Sequence, residues 1–380
     1  MAEIEKLKVL VVDDTIVYRK IISEVLTGFP NVEIVGTANN GKTAVSRIVS
    51  LSPDLITLDV DMPGMDGIQV LEEINRLELD VGVVMLSSLT HEGGELTVRA
   101  LELGAFDFIP KPELSSISDN KAFIRYRLGP MLRSFSGRRE IKRILSGKTK
   151  FRKKIKETLT DTQLKAGETL KEKIRLPGII GPSSPRVASK IVAIGISTGG
   201  PRALARLIPN LPADIGVPVV IVQHMPPLFT QSLAKSLNAK SALTVKEAED
   251  GECLQANTVY IAPGGHQMKI GTSGGEEKII RVTEDPPENS CRPSVDYLFR
   301  SVAGHYGQAA TAVIMTGMGT DGNRGLGVLK KANAFLIAQD EATCTVFGMP
   351  KWPIEANIVD VVASLDAISQ EILNSVKPSG

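Results

Sequence analysis

Several residue types are scarce in this chain, and each scarcity narrows the class of protein. Of its 380 residues only three are cysteines, four are histidines and 4% are aromatic. The cysteines, Cys253, Cys291 and Cys344, are scattered and odd in number. This usage is typical of a reducing compartment and argues against a cysteine-based metal site.

Net charge and long apolar runs are scarce too. The chain carries 44 basic and 43 acidic residues, a net charge of +1, so no global field attracts polyanions. No apolar run approaches the roughly 20 residues that span a bilayer. Residues Met1–Lys8 alternate acids with lysines and lack the apolar core of a secretory signal. We therefore predict a cytoplasmic protein without direct membrane insertion.

Residues 1–125 alternate short apolar segments with helical patterns. Strands are predicted at Lys8–Val12, Val32–Thr37, Leu55–Leu58, Val81–Leu86 and Phe106–Ile109. Helices are predicted at Ile16–Leu26, Lys42–Leu51, Gly67–Leu77 and Glu92–Leu103. Five such alternations with short loops predict an α/β domain with an open, mostly parallel, doubly wound sheet. A functional site is expected beyond the carboxyl ends of the strands.

Residues 126–186 have the composition of a linker. Between Arg133 and Lys156 there are eleven basic residues and one acid, Glu140, and Leu176–Ser189 is rich in Pro, Gly and Ser. A solvated tether, with part of it a basic helix, is the favoured interpretation. The alternative is contact with an acidic partner or an anionic membrane surface.

A second doubly wound α/β domain is predicted over residues 187–380. Strands are expected at Ile191–Ile196, Val217–Gln223, Thr258–Ile261 and Thr311–Thr316, with helices near Arg202–Leu207 and Thr230–Leu237. Ser197 follows the first strand in Gly195–Gly200, a G-x-S-x-G pattern that leads into a helix. Glycines there allow a strained turn that presents a nucleophilic serine. A phosphate-binding turn is the alternative, but neither the Walker A spacing nor G-x-G-x-x-G is present.

A nucleophilic serine needs a base and an orienting acid. His224 follows a predicted strand directly and is favoured over His266, which lies in a Gly-rich loop, because a strand end is the more rigid mount. His305, in a predicted helix, is interpreted as structural, and His91 belongs to the first domain. Asp321, in the Gly-rich loop after Thr311–Thr316, is the candidate acid.

The first domain carries a second polar cluster. Its carboxylates are Asp13 and Asp14 after the first strand and Asp59 after the third, and Ser87 and Lys111 follow the fourth and fifth. Carboxylates that converge at one sheet edge repel one another and favour Mg²⁺, and the lysine and hydroxyl would hold a phosphoryl group on Asp59. Each aspartate alone could be a helix cap, but caps do not explain all five positions.

Residues 7–125 resemble the receiver domain of two-component response regulators. The resemblance implies that Asp59 is the phosphoacceptor, that Asp13, Asp14 and Asp59 bind Mg²⁺, and that Ser87, Lys111 and the aromatic Phe108 respond to the phosphoryl group. Thr15 stands where many relatives have serine.

Nearly the whole chain resembles the CheB family, the chemotaxis protein-glutamate methylesterases. The matching motifs are Gly195–Pro201, Gln223–Pro226, Ile261–Gly264, Arg292–Asp296, Thr316–Gly322 and Gln339–Pro350. The resemblance implies a nucleophile at Ser197, a base at His224, an acid at Asp321, and backbone oxyanion donors at Thr198 and Met318.

The resemblance to the CheB family also implies a function. It implies hydrolysis of γ-glutamyl methyl esters, and deamidation of glutamines, on methyl-accepting chemotaxis receptors. No cofactor is expected at the esterase site. A chemotaxis histidine kinase would phosphorylate the receiver, which otherwise covers Ser197. A signalling adaptor and a regulator of a non-motility pathway remain alternatives. No helix-turn-helix or aromatic-studded basic surface supports nucleic-acid binding.

Overall fold

The computed structural model describes residues 6–145 and 187–377. Its described residues up to Met131 and from Ala188 onward pack into one compact unit. The Pro-, Gly- and Ser-containing part of the predicted linker falls almost entirely outside the described residues. Within residues 6–145 and 187–377, no helix is both long enough and apolar enough to cross a membrane.

The N-terminal sheet has the doubly wound order that the sequence predicts. Its strands are β1 (Leu7–Val12), β2 (Val32–Ala38), β3 (Leu55–Asp59), β4 (Gly82–Ser87) and β5 (Asp107–Pro110). They are all parallel in the order β2-β1-β3-β4-β5. β1, β3 and β4 are almost completely buried, as expected for a parallel sheet covered on both faces.

Five helices accompany this sheet: α1 (Ile16–Thr27), α2 (Gly41–Leu51), α3 (Gly67–Arg76), α4 (His91–Glu102) and α5 (Ile117–Leu145). The first four begin with side-chain caps from Thr15, Asn40, Asp66 and Thr90, which bond to the free N–H groups of the first turn. α5 continues beyond residue 125, where the sequence places the start of the linker. The domain bounds 1–125, 126–186 and 187–380 stay predictions.

The C-terminal sheet has seven parallel strands in the order β14-β13-β12-β6-β7-β9-β8. Their bounds are β6 (Ile191–Ile196), β7 (Val219–Gln223), β8 (Thr244–Glu247), β9 (Thr258–Ile261), β12 (Ala310–Ile314), β13 (Phe335–Gln339) and β14 (Val361–Ala363). β10 (Gln267–Thr272) and β11 (Lys278–Thr283) form a separate antiparallel pair, which the sequence analysis did not anticipate. The doubly wound α/β class is confirmed for both domains.

Among the described residues, six α-helices belong to this domain: α6 (Gly200–Leu207), α7 (Phe229–Asn238), α8 (Val295–Tyr306), α9 (Asn323–Lys331), α10 (Lys351–Glu355) and α11 (Ile368–Val376). From β6 the chain first builds β7, β8 and β9 on one side, and later β12, β13 and β14 on the other. The direction of winding therefore reverses between β6 and β12. Parallel sheets bind ligands in the crevice at such a reversal, beyond the carboxyl ends of the strands.

Candidate active site and phosphoacceptor site

Ser197 lies at this reversal point, directly after β6. Its backbone N–H donates to the carbonyl of Thr316, 3.0 Å away, which ties the turn to the segment after β12. The left-handed backbone of the turn is at Gly199, with φ of 78°, and not at the serine. A side chain at Gly199 would also collide with Thr345, 2.3 Å from an added Cβ. The turn therefore places its left-handed backbone conformation at Gly199, where it is not strained, and leaves Ser197 in an ordinary conformation.

The residues of the two predicted oxyanion donors line the same cavity. Thr198 and Met318, together with Ser197 and His224, line a cavity of about 330 Å³. Among the described residues, no backbone hydrogen bond uses the N–H of Thr198 or of Met318. Two uncommitted donors beside a serine are suited to an oxyanion, because they need not break another bond to reach it.

His224 and Asp321 form a direct pair in this cavity. Nε2 of His224 lies 2.8 Å from Oδ2 of Asp321, and the two side chains are 15% and 3% exposed. Nδ1 lies 3.8 Å from Sγ of Cys291. Among the described residues the ring nitrogens of His224 therefore contact the acid and a thiol, and not Ser197. Catalytic hydrogen bonds are often long before substrate binds, so this spacing is compatible with a base.

Asp321 is held at the N-terminus of α8. Its Oδ1 accepts from Oγ of Ser294 at 2.9 Å and from the N–H of Asp296 at 3.2 Å, and its Oδ2 accepts from the N–H of Val295 at 2.7 Å. Free N–H groups of a first helical turn favour an anion. Burial alone would raise the pKa of Asp321, but the bonds from His224, Asn289 and Val295 outweigh it and hold the pKa at about 2.

The same contacts act on the imidazole. Burial favours the neutral ring, but Asp321 and Cys291 outweigh burial and raise the pKa of His224 to about 10. A carboxylate on one ring nitrogen fixes the tautomer and stabilises the imidazolium that proton transfer creates. Within the described part of the chain, the ring of the rival His266 has a hydrogen-bond contact only in its own loop, where Nδ1 lies 3.3 Å from the carbonyl of Gly264.

Asn289 is a contact of the acid that the sequence analysis missed. Its Nδ2 lies 2.9 Å from Oδ1 of Asp321 and 2.9 Å from Oδ2 of Asp296, so one amide bridges two carboxylates. Asn289 and Ser290 have φ of 50° and 62° in a tight two-residue turn. Asparagine tolerates the left-handed region of backbone conformation, so Asn289 itself is the local sequence feature that indicates this turn.

The phosphoacceptor candidates converge at the carboxyl ends of β1 and β3. Carboxylate oxygens of Asp13, Asp14 and Asp59 lie within 4.8 Å of one another. Nζ of Lys111 lies 2.7 Å from Oδ2 of Asp59 and 3.0 Å from Oδ2 of Asp13. Burial raises the pKa of Asp59 to about 7, against the influence of Lys111. Three oxygen donors of this kind fit Mg²⁺, which would favour their ionised forms.

Ser87 and Phe108 point away from these carboxylates. Oγ of Ser87 accepts from Oγ1 of Thr97 at 2.7 Å and donates to the carbonyl of Gly93 at 3.1 Å, so this hydroxyl is bonded to α4 and not to Asp59. The ring of Phe108 is buried, and its centroid lies 4.7 Å from that of Phe229 on α7. The aromatic residue of the first domain thus packs against the second domain.

The first domain also touches the serine turn itself. Oγ1 of Thr198 donates to Oδ2 of Asp107 at 2.6 Å. Elsewhere between the two domains, Oγ of Ser236 in the second domain donates to Oε1 of Glu102 in the first at 2.7 Å. Lys240 of the second domain forms an ion pair with the same carboxylate. The cavity around Ser197 is therefore lined partly by residues of the first domain, among them Asp107 and Phe108.

The fold and these contacts define a class of protein: a receiver domain docked on an α/β domain with a Ser, His and Asp constellation at its reversal point. Residues 9–119 match the response regulator receiver domain model, and residues 192–372 match the CheB methylesterase model. The chain belongs to the CheB methylesterase family.

Curated relatives cover nearly the full chain. A protein-glutamate methylesterase/protein-glutamine glutaminase of Desulfotalea psychrophila is 49% identical over 98% of this chain and 99% of its own length. One of Geobacillus kaustophilus is 43% identical over 97% and 99%. The crystal structure of the Thermotoga maritima CheB methylesterase catalytic domain is 45% identical, with a TM-score of 0.48 over 50% of this chain and 99% of that one.

Proposed function

We propose that this protein is a receiver-controlled protein-glutamate methylesterase and protein-glutamine glutaminase. Its substrates would be γ-glutamyl methyl esters and specific glutamines on chemotaxis receptors, and its role adaptation in chemotaxis. The observation that carries the proposal is the buried His224–Asp321 pair, 2.8 Å apart, in one cavity with Ser197 and covered by a receiver domain. A cytoplasmic location agrees with such substrates.

Ser197 would attack the γ-carbonyl carbon of the substrate. The neutral form of His224 would take the serine proton on Nδ1, because Nε2 is held by Asp321. The N–H groups of Thr198 and Met318 would hold the oxyanion. Collapse would release methanol, or ammonia from a glutamine, with the proton returned from His224 to the leaving group. Water, activated by the same imidazole, would then hydrolyse the γ-glutamyl ester on Ser197.

Regulation would begin at Asp59, phosphorylated by a chemotaxis histidine kinase. Asp13, Asp14 and Asp59 would hold Mg²⁺, which neutralises phosphoryl charge when bound. Lys111 already faces the acceptor carboxylate and would pair with the phosphoryl oxygens. Ser87 would leave its bond to α4 for the same group, and the shift would loosen the packing of Phe108 on the second domain. Uncovering of Ser197 follows from that loosening.

Methanol release from methylated receptor membranes tests the proposal. The wild-type chain is compared with and without a small-molecule phosphodonor and Mg²⁺. We expect slow release that the phosphodonor accelerates. Release that the phosphodonor leaves unchanged would contradict receiver control, and no release in either condition would contradict the esterase assignment.

A further inference from the structure

The thiol of Cys291 lies in the candidate active site, and the proposed reaction does not use it. Its Sγ is 3.8 Å from Nδ1 of His224 and lies within 4.8 Å of a carboxylate oxygen of Asp321. Cys291 lines the cavity that contains Ser197 and is partly exposed in it. The scattered positions of the cysteines in the sequence argue against a metal site built on several cysteines. They do not show, however, that the fold brings one cysteine beside a histidine.

The backbone fixes the thiol in this position. Glu288 and Cys291 exchange backbone hydrogen bonds of 3.1 and 2.7 Å across the two-residue turn. Such a turn, closed by a pair of bonds, leaves little freedom to the residue that follows it. The thiol therefore does not depend on a flexible loop for its approach to the imidazole.

The distance between the two atoms suits a zinc ion. Zinc bonds thiolate sulfur at about 2.3 Å and imidazole nitrogen at about 2.0–2.1 Å in tetrahedral geometry, which places the two donors roughly 3.5 Å apart. The 3.8 Å between Nδ1 and Sγ is close to that value. Asp321 on Nε2 completes the carboxylate–histidine arrangement common around zinc, since it fixes the ring and makes Nδ1 the nitrogen available to a metal once its proton is lost.

We propose that Nδ1 of His224 and Sγ of Cys291 bind Zn²⁺, and that the bound ion inhibits the enzyme. The thiol and Nδ1 of the imidazolium each lose one proton to solvent as the Zn–S and Zn–N bonds form. Waters in the open cavity take the remaining coordination positions. The ion occupies the nitrogen that would accept the proton of Ser197, so it is an inhibitor and not a cofactor. This inhibition rests on the proposed function, whereas the binding does not.

Protection of the thiol tests the binding. Full-length protein is alkylated with iodoacetamide with and without Zn²⁺, and each cysteine is followed by mass spectrometry. At a zinc concentration ten times the dissociation constant, alkylation of Cys291 should slow about tenfold. Cys253, partly exposed elsewhere, is the internal control. Equal slowing of both cysteines, or full protection in His224→Ala, would overturn the site.

Methanol release tests the inhibition. Zn²⁺ should inhibit the wild-type chain and Cys253→Ser at least tenfold more strongly than Cys291→Ala, each relative to its own metal-free rate. Equal inhibition of Cys291→Ala would contradict the site, and protection of the thiol without inhibition would contradict the blocking role. A chain with no metal-free activity would refute the proposed function, and the alkylation result would still decide the metal site.

Discussion

The two candidate sites both lie at the carboxyl ends of parallel strands, but their carboxylates are stabilised differently. Asp59 depends on one lysine ammonium, 2.7 Å away, and burial raises its pKa to about 7. Asp321 is bonded by backbone N–H groups of α8, and its pKa is about 2. Phosphorylation can change the Asp59 site, because its charge depends on the Lys111 ammonium and a bound cation. The Ser197 site is called the fixed site here, because backbone N–H groups of α8 hold its acid in place. We therefore expect the receiver domain to control the fixed site by blocking access to it.

Removal of the nucleophile gives the largest expected effect. Ser197→Ala should lower phosphodonor-stimulated methanol release at least about 1000-fold, because the covalent route is lost while binding remains. Thermal unfolding of the variant should match the wild type. A Ser197→Ala variant that keeps a tenth of the wild-type rate would show that another residue is the nucleophile.

Removal of the negative charge of the acid tests the fixed site next. Asp321→Asn should lower the rate roughly 100- to 10,000-fold, because the imidazolium loses its counter-charge and its enforced tautomer. Asp296→Asn is the matched control, since Asp296 contacts Asn289 but not His224. Similar losses in both variants would mean that the effect is structural.

A smaller change in rate is expected when the contact between the receiver domain and the serine turn is removed. Asp107→Ala removes the bond from the receiver to Thr198, an interaction of about 1.5 kcal/mol that corresponds to roughly tenfold in a docking equilibrium. Methanol release without phosphodonor should rise up to about tenfold. Glu33→Ala, exposed on the opposite edge strand β2, should leave that rate unchanged. No rise in Asp107→Ala would contradict control by covering.

The same contact should give a modest pH dependence. Burial raises the pKa of Asp107 above its ordinary value of 3.8, although Thr198 and Arg127 oppose the shift. Because Thr198 of the second domain lies against this carboxyl, we expect docking to add to its burial and to favour its protonated form, so docking should strengthen as pH falls through the raised pKa and weaken above it. The ratio of the unstimulated rates, Asp107→Ala over wild type, should be highest at the acid end and fall as pH rises. A ratio that is flat with pH would contradict this.

The sequence predicted the elements that local patterns specify. Buried runs such as Ile191–Ile196 identify their own strands, and polar residues at the run ends, such as Asp59 and His224, mark the functional edge of a parallel sheet. The placement of these residues in two clusters followed from topology, because strand ends in one sheet converge.

The rest depended on contacts between distant segments. Asn289 reaches Asp321 across 32 residues, and Cys291 reaches His224 across 67, through a short turn that carries no strong pattern. The packing of Phe108 on Phe229 joins two segments that are distant in the sequence and belong to different domains. The bond of Ser87 to α4 reflects a rotamer choice, which composition and periodicity do not encode.

Labelling of Ser197 by a fluorophosphonate probe would test the central claim most directly. The probe reacts with activated serines, and mass spectrometry identifies the labelled residue. In the wild-type chain we expect slow labelling at Ser197 that a phosphodonor with Mg²⁺ accelerates, and in Asp59→Asn no acceleration. Labelling at another residue, or a rate at Ser197 that phosphorylation does not change, would contradict a fixed serine site that the receiver covers.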